Sequence, residues 1–405
     1  TCSLYVTGDS ADYAKAFGFT LRIGMPGQLM FDHDTGACRL TVTCKGGIGH
    51  LTPGDAGSGF AYPKTAGSVL RHASLALGTD TNYVADRYYP RPVTSAPDTD
   101  FVIVDSVRSI FPPADGDEHY RAWYSDRGHP RAKRLVVLQN SYADGAPGYR
   151  DFVVMTLDVQ NNNTSRLNGL YAGVFADFTV DSVGGDICRT DTVRRFIYVS
   201  DSAGAGPVVG IKILEPDSFA NLSAIDPLGY LLPDSSFRDA QKWWFLNGSI
   251  VLRSSPRADN WAVVASVGPF SLAAHEAGRL AVAFVGGEDE PAALAHADSA
   301  QSWYHRAIGV REGRSVSKRA GPGLAFAPNP FSSRAGIRYQ LPVAGRARIT
   351  AVDVTGRTVA VLLDGDVAAG SGEVTWRTRG LASGVYFIKL ETPAGRVTER
   401  ALLVR

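Results

Sequence analysis

The 405-residue sequence has no long apolar run and almost no net charge. No stretch approaches the roughly 20 apolar residues that a membrane-spanning helix needs, and a charged leader region followed by an apolar core is also missing. The formal net charge of +1 gives no overall attraction to nucleic acid or to an anionic membrane. The chain begins at Thr1 and not at methionine, so either a leader has been removed or the sequence is a fragment; both interpretations stay open.

Recognisable catalytic motifs are missing as well. The sequence contains no HExxH, GxSxG or GxxxxGK[ST], and none of the motifs that surround the catalytic residues of subtilisin-like peptidases. His33 in FDHDTG and His119 in DGDEHY have acidic neighbours and are the best candidates for acid–base chemistry, although surface turns rich in Asp and Gly look the same. We therefore expect no catalytic residue and no bound cofactor, and a protein that is not an enzyme.

Cysteine is scarce, and no CxxC or Cys/His spacing indicates zinc. The four cysteines are Cys2, Cys38, Cys44 and Cys188. The alternation in CRLTVTC predicts a strand that holds Cys38 and Cys44 about 20 Å apart, whereas a disulfide needs Cα atoms within about 7 Å. An even count in an exported protein makes one or two disulfides plausible, and Cys38 or Cys44 would need Cys2 or Cys188 as its partner.

Calcium is the one metal for which the sequence offers candidate ligands. The first group consists of Asp177, Asp181, Asp186 and Asp191, and the second of Asp80, Asn82 and Asp86. Ca²⁺ takes six to eight oxygen ligands, often from a flexible loop. Neither group matches an EF-hand loop or a Gly-Asp repeat, so a solvated loop between strands is the simpler interpretation and a calcium site is the alternative.

Glycine and proline, 43 and 22 residues, separate short apolar runs that are rich in Val, Tyr, Phe and Thr. This composition predicts many short strands with tight turns. Some runs alternate between polar and apolar residues, and others, such as DFVVMTLDVQ from Asp151, are apolar on both faces. The pattern predicts a mainly β body over residues 1–309, a large antiparallel β-sandwich or two sub-sandwiches whose central strands are buried on both sides.

Two short helices are predicted within this body. PDSSFRDAQKWWFLNG, from Pro233, opens with Asp and Ser as candidate caps and ends at Asn247-Gly248. EDEPAALAHADSAQSWYHRAIG, from Glu288, offers Asp289 as its cap, with Gly309 at the expected C-cap. One face of the second helix would pack against the sandwich, and it consists of Ala293, Ala297, Ala300, Tyr304 and Ile308.

Residues 310–323, VREGRSVSKRAGPG, are polar, basic and without periodicity, so they form the predicted linker. Residues 324–405 then contain several short strand candidates at the density of an immunoglobulin-like sandwich. This segment carries 11 Lys or Arg and 6 Asp or Glu, a net charge of +5, which leaves 30 basic and 34 acidic residues before it. The asymmetry would favour head-to-tail association, although a chance imbalance on solvated faces also explains it.

Four motifs occur in order within residues 324–405. They are APNPFSSRAGIRYQLP, ARITAVDVTGRTVAVLLDG, GEVTWRT and LASGVYFIKLETPAGRVTERALLV. Together they resemble the C-terminal sorting domain of type IX secretion cargo and the related Ig-like domain of flagellar hook-capping proteins. The resemblance implies a bacterial protein that the secretion machinery exports to the cell surface or the medium. Such domains are often cleaved off; since this chain continues to Arg405, we expect this one to be kept as a packing element.

The body resembles, more loosely, the β-rich non-catalytic regions of exported bacterial proteins, some of which are attached to subtilisin-like peptidases. The stretches that carry this likeness start at Ser58, Tyr83, Leu167 and Asp259. Three hypotheses follow: a self-assembling surface or filament subunit, a non-catalytic accessory or binding region of a secreted hydrolase, and an enzyme of unrecognised type. Export, the all-β build and the missing catalytic motifs favour the first, with self-association expected and no nucleic-acid partner.

Overall fold

The computed structural model describes residues 3–4, 19–20, 28–51, 56–88, 98–180, 185–217, 220–231, 237–309, 323–327, 331–341, 344–368, 370–378, 380–392 and 395–404. The chain divides into two compact units, Thr1–Arg311 and Glu312–Arg405. We call the first unit the body and the second the tail, and each is described by itself. Cys2, Asp181 and all but the last residue of the predicted linker lie outside the described residues.

Strands make up most of the body. They are β1 (Ser3–Leu4), β2 (Phe19–Thr20), β3 (Met30–His33), β4 (Arg39–Thr43), β5 (Gly47–Ile48), β6 (Phe60–Ala61), β7 (Leu70–Asp80), β8 (Tyr83–Asp86), β9 (Val102–Ser109), β10 (Glu118–Ser125), β11 (Leu135–Ala143), β12 (Phe152–Asn161), β13 (Leu167–Phe178), β14 (Asp186–Asp191), β15 (Phe196–Asp201), β16 (Val208–Glu215), β17 (Ala220–Ile225), β18 (Ala262–Leu272) and β19 (Ala277–Gly287). The helices are α1 (Asp239–Leu246) and α2 (Glu290–Tyr304), with short 3-10 or π turns at Asp126–Gly128, Pro227–Leu231 and His305–Gly309. No helix among the described residues is long and apolar enough to cross a membrane.

Two large antiparallel sheets form the sandwich of the body, and β1 pairs with β2 in a separate two-stranded sheet. One has eight strands in the order β14-β15-β16-β19-β12-β11-β10-β9. The other has nine, in the order β17-β18-β13-β7-β5-β4-β3, with β6 beside β4 and β8 beside β7. One apolar core, which includes Leu40, Val174 and Phe284, lies between the two sheets. The predicted mainly β, antiparallel sandwich is confirmed, and a single core fills it.

Strand β19 shows why some strands are apolar on both faces. Its even-numbered residues from Leu280 to Phe284 belong to the core between the sheets, whereas its odd-numbered residues from Ala281 to Val285 belong to a second core beneath α2. The predicted helix face is buried in this second core, at Ala293, Ala297, Ala300, Tyr304 and Ile308. Small residues on both surfaces let α2 lie close to the sheet: a Cβ added at Gly287 would be 2.4 Å from the backbone nitrogen of Ala293.

The N-terminus of α2 agrees with the sequence prediction, and its C-terminus does not. Asp289 is the N-cap, and its carboxylate accepts the backbone N–H of Ala292 at 2.8 Å. The α-helix ends at Tyr304, and one π turn follows it. Gly309 therefore closes that turn and does not cap the α-helix, which corrects the expectation from its position.

Helix α1 covers the outer face of the nine-stranded sheet. Phe245 and Leu246 pack there against Val84 and Phe175 in a separate apolar cluster. The helix begins at Asp239, later than the segment predicted from Pro233, and Arg238 is its N-cap residue. The body is therefore built in four layers, with one helix outside each of the two sheets.

The tail is a small sandwich of two antiparallel sheets. Its strands are β20 (Gly323–Ala327), β21 (Arg334–Leu341), β22 (Gly345–Asp353), β23 (Thr358–Val367), β24 (Gly370–Arg377), β25 (Gly384–Thr392) and β26 (Gly395–Leu403). The sheet orders are β20-β21-β24 and β23-β22-β25-β26. The rings of Trp376 and Phe331 pack in the core at a tilt, with their centroids 5.3 Å apart, and Gly356 (φ +86°) makes the turn between β22 and β23. The immunoglobulin-like build expected for these residues is thus present.

The described cysteines are Cys38, Cys44 and Cys188, and all three are free and buried. Cys38 and Cys44 flank β4 and enter the same core, as the alternation predicts. Cys188 lies on β14 in the opposite sheet. The disulfides expected from the even count are not formed at these three positions, because each thiol serves as a small apolar core residue.

Candidate functional site

A group of buried charges joins α1 to the nine-stranded sheet. The side chain of Lys242 is fully buried, and its Nζ lies 2.8 Å from both carboxylate oxygens of Asp86 and 2.7 Å from Oδ2 of Asp98. Burial disfavours the ammonium form, but the two carboxylates outweigh burial and raise the pKa of Lys242 above its usual value. Lys242 therefore stays protonated. We call Asp86, Asp98, Asp100 and Lys242 the lysine cluster.

The acidic residues of the lysine cluster have the spacing of a metal site. One oxygen from each of Asp86, Asp98 and Asp100 lies within 4.8 Å of the others, the one such group among the described residues. The ammonium of Lys242 contacts two of these three carboxylates. The protein thus supplies its own cation here, and the geometry favours an internal ion cluster over a metal site.

A cleft of about 500 Å³ opens beside the lysine cluster. Four protein segments line it: the turn at Thr81 and Asn82, the loop that contains Asp98 and Asp100, the loop from His129 to Arg131, and the start of α1. Its ionisable side chains are Asp98, Asp100, His129, Arg131, Arg238 and Asp239. Burial, reinforced by the nearby carboxylate of Asp98, raises the pKa of Asp100 to about 6. The cleft combines fixed carboxylates with exposed guanidinium groups, and this combination suits a charged ligand. Among the described residues, its lining contains no serine, cysteine or lysine that could act as a nucleophile.

His129 connects the loop to the helix across this cleft. Its Nε2 lies 3.1 Å from the Asp239 carboxylate, and its Nδ1 accepts the backbone N–H of Arg131 at 2.9 Å. The ring also packs edge-on against Tyr83 at 4.8 Å. Burial works against the charged form, yet the hydrogen bond to Asp239 and the charge of Asp100 raise the pKa of His129. The wall of the cleft is therefore held by buried or half-buried partners.

The structure shows where the members of the two candidate calcium groups lie. In the first, Asp186 and Asp191 lie at opposite ends of β14, about 16 Å apart, and Asp191 pairs with Arg194 at 2.8 Å. Asp177 is buried on β13, and Asp181 lies outside the described residues. The calcium site that was the alternative interpretation of these four aspartates is therefore not assembled among the residues the structure describes, where Asp186 and Asp191 lie at the two ends of one strand.

The second group is divided between two places. Asp86 belongs to the lysine cluster, and Asn82 lines the adjacent cleft. Asp80 and Asn82 do contact each other: Asp80 accepts the backbone N–H of Asn82 at 2.9 Å and holds the turn between β7 and β8. Sequence reasoning missed the partners because Lys242 is 156 residues from Asp86. The available signal was a lysine three and four positions before Phe245 and Leu246, on the buried face of α1.

His33 takes part in a hydrogen-bonded chain with the residue types of a serine hydrolase. Its Nε2 lies 2.8 Å from Oγ of Ser141, and its Nδ1 lies 3.0 Å from Oε2 of Glu118. The order serine, histidine, carboxylate and the distances are those of a catalytic triad. The sequence could not indicate this chain, because Glu118 and Ser141 lie 85 and 108 residues from His33.

The surroundings of this chain show that it is structural. His33 and Ser141 have no solvent-exposed surface, and the ring of Tyr120 lies 4.5 Å from the imidazole. Burial lowers the pKa of His33, although Glu118 opposes the shift, so the imidazole is neutral. The chain links β3 of one sheet to β10 and β11 of the other. It acts as a polar cross-link between the sheets, since a substrate has no access to the serine.

His119, the second histidine candidate, is also a core residue. Its Nε2 lies 3.0 Å from Oδ1 of Asn140, and its ring stacks on Tyr142 at 4.5 Å. Burial lowers the pKa of His119 to about 4. Neither histidine therefore combines a titratable ring with an open surface, and acid–base chemistry at these two positions has no route to a substrate.

The tail is a domain of known type. Residues 325–404 match the family model of the secretion system C-terminal sorting domain. The sorting domain inferred from the four sequence motifs is thus confirmed. The chain is accordingly a secreted protein of the type IX system, with an extracellular or cell-surface location and the secretion machinery as a partner.

Over the whole chain, similarity to known proteins is weak. No curated protein matches the sequence. A polysaccharide lyase is similar with 9% identity and a TM-score of 0.27, over 94% of this chain and 47% of that one. The dimeric latent PorU of Porphyromonas gingivalis is similar with 11% identity and a TM-score of 0.19, over 67% of this chain and 32% of that one. This chain spans about half the length of the first and about a third of the second.

Replacing Lys242 with methionine tests the lysine cluster. The change leaves Asp86 buried without its cation, so we expect the free energy of unfolding to fall by about 3–5 kcal/mol in urea titrations. The double variant Asp86→Leu with Lys242→Met removes both charges and should recover most of that loss. Lys133→Met, at a lysine whose side chain is 34% exposed, is the control. Equal stability of Lys242→Met and the control would contradict the cluster's role.

Asp177 tests the electrostatics of the first calcium group. Its Oδ1 is buried without a hydrogen-bond partner in the described part of the chain, and burial, with Asp186 adding to it, raises the pKa of Asp177 to about 7. An unfolded aspartate titrates near 3.9. Since the folded pKa is the higher one, the contribution of this group to stability is fully present below about pH 4 and is lost as the pH rises through 7.

Asp177→Asn should therefore stabilise the protein at high pH only. We expect the free energy of unfolding to rise by about 1–3 kcal/mol at pH 8 and to change little at pH 4. Asp217→Asn, at a side chain that is 93% exposed, is the matched control and should have no pH-dependent effect. A gain of the same size at pH 4 and pH 8 would rule out a buried carboxylate as its cause.

Proposed function

We propose that this secreted chain is a non-catalytic structural component of the bacterial surface, that it self-associates, and that the tail is kept as a packing element. The use of polar side chains in the body supports the proposal. The Ser141–His33–Glu118 chain and the lysine cluster both connect layers of the fold. Groups that would perform chemistry at an open site are here buried between secondary-structure elements.

The inference of self-association rests on one feature of the tail. Arg334 on β21 and Arg377 on β24 lie directly opposite each other, so both side chains are on the same face of the sheet. Both are exposed, and neither forms an ion pair with a described residue. Like charges that face each other across two strands destabilise the pair. This arginine pair therefore gains stability when an acidic surface covers it.

We infer that the acidic partner is the body of a second copy of the chain. Residues 324–405 have a net charge of +5, whereas the residues before them carry 34 acidic and 30 basic side chains. A tail that docks on the body of the next copy forms a heterologous contact, which generates filaments or rings. The charge complementarity sets the orientation and the rate of association more than the affinity.

Analytical ultracentrifugation of the arginine-pair variant tests this proposal. We expect the wild-type protein to associate in a concentration-dependent manner at low salt and to dissociate as salt screens the charges. The double variant Arg334→Gln with Arg377→Gln should weaken association about tenfold, equivalent to about 1.4 kcal/mol. Arg346→Gln is the matched control, because that arginine is exposed but pairs with Asp364 in its own sheet at 3.0 Å.

Two results would contradict the proposal. One is a wild-type protein that stays monomeric at high concentration and low salt, and the other is equal association of the double variant and the control. A thermal unfolding measurement distinguishes weaker association from misfolding. Arg334→Glu should leave the unfolding temperature of the tail unchanged or raise it slightly, because the substitution replaces a like-charge pair with an opposite-charge pair.

A further inference from the structure

The cleft beside the lysine cluster has the size and the polarity of a ligand site. Its volume is about 500 Å³, within the roughly 300–1,000 Å³ of small-molecule sites. The proposed surface role of the protein makes no use of this cleft. Its two sides, an inner wall and a rim, differ in charge.

Hydrogen bonds and ion pairs hold the carboxylates of the inner wall in place. Asp100 is only 7% exposed and accepts the backbone N–H of Asp86 at 3.2 Å. Asp98 is held by Lys242 at 2.7 Å, and Asp239 is held by His129 at 3.1 Å. Side chains fixed in this way are preorganised, so a ligand does not have to order them on binding.

The charge of this wall is not balanced by the protein. Four carboxylates lie at this wall or directly behind it, those of Asp86, Asp98, Asp100 and Asp239, and the buried cations beside them are Lys242 and Arg87. His129 contributes a hydrogen bond to Asp239 through Nε2, while its Nδ1 accepts the backbone N–H of Arg131. Asp86 and Asp98 already show how such carboxylates contact a primary ammonium, with distances of 2.7–2.8 Å to Nζ. A second ammonium beside Asp100 and Asp239 would bring the local charge close to balance.

The rim of the cleft has the opposite charge. Arg131 and Arg238 both line it and are exposed, and neither forms an ion pair within the described ranges. A guanidinium binds a carboxylate with two parallel hydrogen bonds, which gives direction as well as affinity. A ligand with an anionic group at one end would be oriented by these two arginines.

We propose that this cleft binds a small zwitterion, with its primary ammonium against Asp100 and Asp239 and its carboxylate at Arg131 and Arg238. Amino acids and the lysine-bearing ends of peptides carry both groups. A divalent cation fits less well, because Lys242 already lies between the carboxylates that would have to share it. A purely anionic ligand fits the rim but meets like charge at the inner wall.

Isothermal titration calorimetry on the full chain tests the proposal with 6-aminohexanoate as the probe. Hexylammonium, hexanoate and calcium chloride are the comparison ligands. We expect 6-aminohexanoate to bind with a millimolar or lower Kd, at least tenfold more tightly than either single-charge analogue. Asp100→Asn and Arg131→Gln should each raise that Kd about tenfold. Arg127→Gln is the matched control, an exposed arginine nearby that does not line the cleft.

Each other outcome overturns the proposal. No heat with 6-aminohexanoate would exclude the zwitterion, and calcium binding that Asp100→Asn abolishes would assign the cleft to a metal. Equal affinity for hexylammonium would remove the role of the rim arginines. The same Kd for Arg131→Gln and Arg127→Gln would show that binding occurs elsewhere. Circular dichroism of each variant separates these results from loss of fold.

Discussion

The outer face of each body sheet is apolar and has to be covered by a helix. Helix α2 achieves this with alanines, which lie flat on the small residues of β19. Helix α1 covers the other sheet with Phe245 and Leu246 but also brings the amine of Lys242 into that interface. A buried ammonium is costly unless carboxylates surround it, so Asp86 and Asp98 follow from the position of the lysine. The cleft is the open side of this arrangement.

The same requirement explains the chain of Ser141, His33 and Glu118. Polar side chains between two sheets have to satisfy one another, because water does not reach them. A serine, a neutral histidine and a carboxylate do so in series, and the result has the distances of a catalytic triad without an accessible nucleophile. A secreted protein gains a rigid sandwich from such cross-links. Geometry alone is therefore not evidence of catalysis here, and burial decides its meaning.

Periodicity and local motifs predicted the local structure well. Strands such as β12 and β19, the buried stripe of α2 and its cap at Asp289 follow from residues close in sequence. The sorting domain could be identified because its motifs carry information independently of the rest of the chain. Contacts between distant residues could not be predicted: Lys242 with Asp86 and Ser141 with His33 depend on the order of strands in the sheets. The even number of cysteines also gave a wrong prediction for Cys38, Cys44 and Cys188. These three thiols are buried in the core and are not paired in disulfides.

The central claim is that the polar chains of the body hold the fold together and perform no chemistry. The most direct measurement is labelling of the folded full chain with a fluorophosphonate probe, which reacts with an activated serine. We expect no labelling of the wild-type protein, because Ser141 has no exposed surface. Labelling that is present in the wild type and lost in Ser141→Ala would contradict the structural role of Ser141, His33 and Glu118. It would show instead that Ser141 is an activated nucleophile, as in an esterase or a peptidase.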